Sequence, residues 1–352
     1  MSTAAQIDPQ TSRLLTALRA LLMLAVVCIH AEKGILFALG ATGETPLARG
    51  ILNVLCRHLF QTAVPLYFAI SGYLLYLRYD GNLKDYPRMA ARRFKTLMLP
   101  FLLVNGFWLV WLTVTGSIPG ISGTTILKER GYLSMLLGID GLPLIYPLWF
   151  LRDLFILALA SPLFAFFLKR LPYLGLAAIW LCWNFMLQKG IPLEFSGAFF
   201  FYLGGLLAVK RSGLTAPRPA VIAAWAVFAV TTGLSSYIDL SGTVTQWKYP
   251  VWRLCVLSGV VAVWHWAMWA RIGERGWLLW LSPSIFFIYL LHEPALSYLA
   301  EWTREFVQPG STASQLGYAA FLTAACLILT WSTGWGLRRF APPVYAVLTG
   351  GR

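Results

Sequence analysis

Apolar runs of helix length recur along this chain, at roughly 14–33, 54–77, 95–115, 147–168, 173–189, 195–209, 219–238, 249–270, 278–300 and 316–337. A helix needs about 20 such residues to cross a hydrocarbon core of about 30 Å. Backbone in lipid must satisfy its own polar groups, so runs of this kind have to be helical. The chain is therefore expected to be an all-α, polytopic integral membrane protein with about ten transmembrane helices. Its composition agrees: 58% of residues are hydrophobic and only 12% charged, outside the range of a soluble domain. The aromatic share of 15%, with 16 Trp, suits interfacial belts and a packed bundle. The first run follows a short polar start and ends without a small-residue cleavage site, which reads as a retained helix rather than a removed signal peptide.

The formal net charge of +14 suggests nucleic acid at first sight. The bases, however, sit in short clusters between apolar runs rather than along one stripe, and topology explains them without a nucleic-acid partner. One set of alternate loops holds Arg13, the cluster of Arg78, Lys84, Arg88, Arg92, Arg93 and Lys95, then Lys169, Arg170, Lys210, Arg211, Arg218, Arg271, Arg275, Arg338 and Arg339. In the other set Glu44, Glu129, Asp140, Glu194, Asp239, Glu301 and Glu305 dilute the bases. The positive-inside rule then places both termini in the cytoplasm with an even number of spans. No loop is long enough for a second domain, so residues 1–352 are expected to form one membrane unit. The longest outer loop, about 116–146, carries an apolar stretch at 132–137 with the character of an interfacial or re-entrant segment. The five cysteines are scattered singly, which indicates neither a disulfide framework nor a zinc site. No Walker loop, GxGxxG, HExxH or GxSxG occurs, so nucleotide-hydrolysing, dinucleotide, zinc-dependent and serine-hydrolase readings lack support, and no metal is expected.

Chemistry is concentrated in the first apolar run. Arg19 and His30 are eleven positions apart, which returns to within about 20° of the same helix face and separates them by roughly 16 Å along the axis. Ionisable groups inside a span mark functional sites by default. A lone histidine is most often a satisfied core residue; within a span the cost of an unneeded polar group favours a general base. Such a base has an orienting carboxylate. Glu32 points to the other side of the helix, and Glu293 and Asp153 from other helices are the better candidates, with a cap or salt-bridge role as the alternative for Glu293. His292, beside Pro294, has two readings, helix kink or site residue. His265 is read as interfacial and His58 as an outer-loop residue. Arg92, Arg93 and Lys95 serve equally as a topology signal or, with Arg19, as a phosphate-binding cluster. Ser71-Gly72 is either a place of close backbone approach to a ligand or a helix interface.

At these residues the chain resembles acyltransferase family 3, integral membrane proteins that acylate surface polysaccharides, lipids and antibiotics. The matching pieces are Arg19-x10-His30, YFAISGYLL at 67–75, RRFKTLMLPFL at 92–102, PLWFLRDL at 147–154, FYLGGLLA at 201–208 and SPSIFFIYLLHEP at 282–294. They occur in the family's order and cover nearly the whole chain. Ala20 stands where members often have Gly, and Arg92-x-x-Lys95 replaces an RxxR, keeping the placement of cations. The resemblance implies about ten helices in the bacterial inner membrane and cytoplasmic acyl-CoA, acetyl-CoA above all, as donor. The acceptor is then a hydroxyl of an envelope or exported, lipid-linked polysaccharide on the outer side. Unlike fused members the chain shows no extracytoplasmic SGNH domain. Arg19, Arg92, Arg93, Lys95 and Ser71 would hold the donor, and His30, with Glu293 or Asp153, would act on the acceptor, by direct proton removal or through an acyl-imidazole. The competing reading is a transporter or flippase with no covalent chemistry; against it stands the absence of inverted repeats and paired broken helices.

Overall fold

The computed structural model describes residues 7–39, 43–119, 129–185 and 192–351. Among them there are helices and no strand. Helix α1 (Pro9–Leu39) starts where Asp8 accepts the Thr11 N–H at 2.9 Å, an N-cap followed by proline at the first helical position. Those bonds to Thr11 hold the Asp8 carboxyl below the ordinary carboxylate range. Helix α2 (Pro46–Tyr76) begins at a Thr45 cap, passes through a π-helical stretch at Asn53–Leu59 and a tight turn at Phe60–Thr62, and resumes as α-helix. Helix α3 (Tyr86–Thr115) ends at Gly116, whose φ of 78° closes the last turn. A short α4 (Tyr132–Leu137) occupies the apolar stretch of the long loop.

Among the described residues seven helices are long and apolar enough to cross a membrane: α1, α2, α3, α9 (Arg218–Ser241), α10 (Lys248–Trp269), α11 (Gly276–Thr303) and α12 (Thr312–Phe340). The other three expected spans take other forms. The run at 147–168 is a pair, α5 (Tyr146–Leu159) and α6 (Ser161–Arg170), bent by 60°; Pro162, at the start of α6, has no N–H to continue the ladder. The run at 173–189 is described as α7 (Pro172–Asn184), its last residues lying outside the described part. Helix α8 (Phe195–Val209) has 15 residues, about 22 Å of rise against a core of about 30 Å.

The packing explains how so short a helix as α8 is tolerated. It is buried among other helices rather than facing lipid, with Phe200, Phe201 and Tyr202 almost wholly covered. Gly72 of α2 lies against the Phe201 carbonyl and Gly204 of α8 against the Ala69 carbonyl, so closely that a Cβ at either would overlap the opposite backbone. Small residues that let backbones meet are how helices associate where no hydrophobic force distinguishes protein from lipid. Gly72 thus lies at a helix interface. By contrast α9 and α12 keep most of their apolar surface outward, as lipid-facing helices do. A final short helix, α13 (Pro342–Leu348), folds back so that Tyr345 stacks on Phe287 at 5.5 Å.

Helices α1 and α2 run antiparallel. Cys56 bonds the Cys28 carbonyl, and about three turns of α2 further on the Tyr67 phenol donates to the Arg19 carbonyl. The bundle therefore has an Arg19 end, where α2 stops and α3 begins, and a His30 end, where α2, α5, α8 and α10 begin.

Candidate active site

Residues from three segments meet at the His30 end. The turn 145–147, which leads into α5, is held from two sides: the Ile145 N–H donates to Asn105 Oδ1 of α3 at 3.0 Å, and the Tyr289 hydroxyl of α11 donates to the Pro147 carbonyl at 2.6 Å. Asn105 is fully buried. Between these two anchors the Tyr146 hydroxyl makes a short hydrogen bond with His30 Nδ1. The His292 ring of α11 lies 5.0 Å from that of His30, centroid to centroid, and the Tyr146 ring 5.2 Å away. His292 Nδ1 donates to the Tyr289 carbonyl at 2.7 Å, which fixes its tautomer and leaves Nε2 with a lone pair. That Nε2 is buried without a hydrogen-bond partner among the described residues. A buried polar atom left in this state is costly, and here it belongs to a ring packed against that of His30. The His292 carbonyl in turn accepts from Cys326 Sγ of α12 at 3.4 Å.

Glu293 is half-buried next to His292. It accepts from Ser297 Oγ at 3.2 Å and lies near enough to Tyr146 for its charge to act on the phenol. His30, Tyr146, His292 and Glu293 thus form one polar cluster inside an apolar bundle.

Asp153 is placed differently from what its sequence position suggested. It is completely buried; Oδ1 accepts from Arg152 Nε at 2.9 Å and Oδ2 from the Glu194 N–H at 2.7 Å. Arg152 Nη1 also donates to the Gly138 and Gly141 carbonyls, at 2.5 and 2.6 Å. Gly138 has a φ of 68° and leaves no room for a Cβ beside that guanidinium. Arg152 and Asp153 are therefore a strut joining α5, the start of α8 and the loop after α4, and both carboxylate oxygens are engaged there rather than by an imidazole.

The remaining expected residues separate clearly. Glu32 faces away from His30 and pairs with Arg57 of α2 at 3.1 Å. His58 is not a loop residue: the π-helical stretch turns it into the bundle, where it is buried with Nε2 at 3.2 Å from Asn53 Oδ1 and 3.9 Å from Asp239. His265 is a clamp, its Nε2 accepting the Ala216 N–H at 2.9 Å. Arg92, half-buried Arg93 and Lys95 gather at the start of α3, and Arg19 lies on the same end with an exposed side chain, as do Arg92 and Lys95. Ser71 is half-buried on α2, one turn on from Tyr67, whose hydroxyl bonds α1. Among the described residues no three His, Cys, Asp or Glu side chains converge so as to hold a metal ion.

Two residues were not singled out from the sequence: Tyr146 of the cluster and Tyr289, which anchors its turn. Tyr146 precedes Pro147 at the close of a loop, and only the folded chain shows that this turn reaches His30.

An apolar helical bundle with histidines, a tyrosine and a carboxylate gathered in its interior defines a multi-pass membrane protein with the groups for proton transfer. Comparison with known proteins sharpens this to an enzyme. The chain belongs to acyltransferase family 3, whose acyltransferase domain matches residues 14–335, and it is an acyltransferase. It is also similar to the succinoglycan biosynthesis protein ExoH of Rhizobium meliloti (strain 1021), with 29% identity over 98% of this chain and 94% of that one. No solved structure matches it significantly.

Proposed function

We propose that the chain is a membrane O-acyltransferase of the bacterial inner membrane. It moves an acyl group, acetyl in the simplest case, from cytoplasmic acyl-CoA to a hydroxyl of an envelope or exported, lipid-linked polysaccharide. The observation that carries this reading is the two-ended character of α1: cations at the Arg19 end, and the His30, Tyr146, His292 and Glu293 cluster roughly 16 Å of helix rise away. The glycan acceptor is supported by the similarity to a protein named for succinoglycan biosynthesis.

The donor's phosphates meet Arg19, Arg92, Arg93 and Lys95 at the cytoplasmic side, Ser71 lies on the path between the ends, and the extended arm presents the thioester near His30. In the tautomer that serves catalysis, His30 Nδ1–H donates to the Tyr146 oxygen and Nε2 keeps its lone pair. Nε2 takes the acceptor hydroxyl's proton as that oxygen attacks the thioester carbonyl, and the tetrahedral intermediate collapses with loss of CoA thiolate, which recovers the proton. Glu293 favours the transient imidazolium by its charge.

The direct test is mass spectrometry of envelope glycans from otherwise identical strains with and without the gene. Loss of ester-linked acyl groups in the deletion strain is expected; glycans with unchanged acyl content would reject the reading.

A further inference from the structure

A cavity of about 440 Å³ opens toward the His30 end, bounded by the middle of α2, the beginnings of α5, α8 and α10 and the loop after α4. His30 does not line it. Its wall includes Trp149 and Trp252, Gln61, Ser196, Arg152 and Glu194. That size lies within the range of about 300–1,000 Å³ typical of small-molecule sites. The wall combines two large aromatic surfaces with an amide, a hydroxyl, a carboxylate and a guanidinium.

Three features of this wall bear on what it binds. First, it is preorganised: the Asp153 strut fixes Arg152 Nε and the Glu194 backbone from opposite sides, and Ser196 Oγ donates to Glu194 Oε1 at 3.2 Å. Second, its cation is already engaged, since the Arg152 guanidinium is paired with buried Asp153, while the Glu194 carboxylate shares the lining. An anionic ring would meet Glu194, and a purely apolar ligand would desolvate these polar groups at a cost. An uncharged ring rich in hydroxyls matches both the flat indole surfaces and the mixed donors and acceptors. Third, Trp149 and Tyr146 are three residues apart at the start of α5, which makes them neighbours along one helical turn. Tyr146 bonds His30 while Trp149 lines the cavity, so a ligand seated here extends naturally toward the histidines.

We propose that this cavity is the binding subsite for an uncharged sugar residue of the acceptor, the residue adjoining the one that is acylated. This rests on the glycan-acylating function proposed above and assigns its acceptor specificity to Trp149, Trp252, Gln61, Ser196 and Glu194.

The test compares ester-linked acyl content of envelope glycans in a deletion strain complemented with wild-type, Ser196→Trp, Gln61→Ala, Trp252→Ala or Trp252→Phe protein, at equal membrane levels. Acetyl-CoA binding to each purified full-length protein is measured by thermal shift. Ser196→Trp fills the cavity and is expected to lower acylation by about 10-fold or more, the equivalent of losing at least one well-made contact. Gln61→Ala and Trp252→Ala should lower it several-fold and Trp252→Phe should restore most of it, with acetyl-CoA binding unchanged throughout. If wild type restores acylation and the three damaging variants match it, the subsite is overturned while the proposed function stands. Variants that lose acetyl-CoA binding in step with acylation also overturn the subsite, since the cavity then matters only to the fold. A deletion strain with full acylation overturns the proposed function, and the subsite with it.

Discussion

The two carboxylates that sequence alone offered as partners for His30 turn out to have different work. Asp153 is enclosed, with one oxygen on Arg152 and the other on a backbone N–H, whereas Glu293 sits in the cluster beside His292. Removing one member of a buried ion pair leaves the other charge uncompensated, which typically destabilises by about 3–5 kcal/mol. Asp153→Ala is therefore expected to lower the thermal midpoint of the purified protein markedly and to lose donor binding and transfer together. Glu293→Gln, which keeps a polar group of the same shape, should leave the midpoint within a few degrees and reduce transfer. A transfer defect in Asp153→Ala with an unshifted midpoint would return Asp153 to a role in the chemistry. Sequence adjacency made Asp153 look available because a carboxylate inside a span is always noteworthy. Its partners are Arg152, itself held by the carbonyls of 138 and 141, and the N–H of 194, and no periodicity on α5 announces them.

At the level of elements, α1 was readable because its argument needs only the 3.6-residue repeat: Arg19 and His30 share a face in any regular helix. That the apolar runs are helical was readable from their length and hydropathy; how many of them span was not, since seven are long and apolar enough among the described residues. Three features escaped. The π-helical stretch at Asn53–Leu59 is a change of hydrogen-bond register that leaves composition untouched, and it is what carries His58 from an outer position into the bundle. The 60° bend between α5 and α6 depends on how Pro162 is accommodated by packing. The turn bearing Tyr146 is placed by Asn105 and Tyr289, from helices distant in sequence. The most confined contact in the bundle is that between α2 and α8, where Gly72 and Gly204 each abut a carbonyl of the other helix. Gly72→Val is expected to force these helices apart and to reduce the amount of monodisperse protein recovered from membranes, measured by size-exclusion chromatography. Recovery equal to wild type would show that the backbones need not meet there.

For the molecule as a whole, the alternation of charge between loops leads to a specific orientation. Reporter fusions at Arg211 and Gly310 should give cytoplasmic and external signals respectively, and the opposite pattern would invert the proposed donor and acceptor sides. The central claim is that one bundle binds its donor at the Arg19 end and performs transfer at the His30 end, so the two ends must be separable by mutation. The measurement is acyl transfer from acetyl-CoA to envelope glycan by purified protein in lipid nanodiscs, with acetyl-CoA affinity determined on the same samples. Arg92→Ala should weaken donor binding by about 10–100-fold, the loss of a charge-assisted contact of about 1.5–3 kcal/mol. His30→Ala should bind acetyl-CoA as wild type does yet lose about 10²–10⁴-fold in transfer, the usual consequence of removing a general base. Wild-type turnover by His30→Ala, in protein that is folded and binds its donor, would contradict the claim and make His292 Nε2 the base to test.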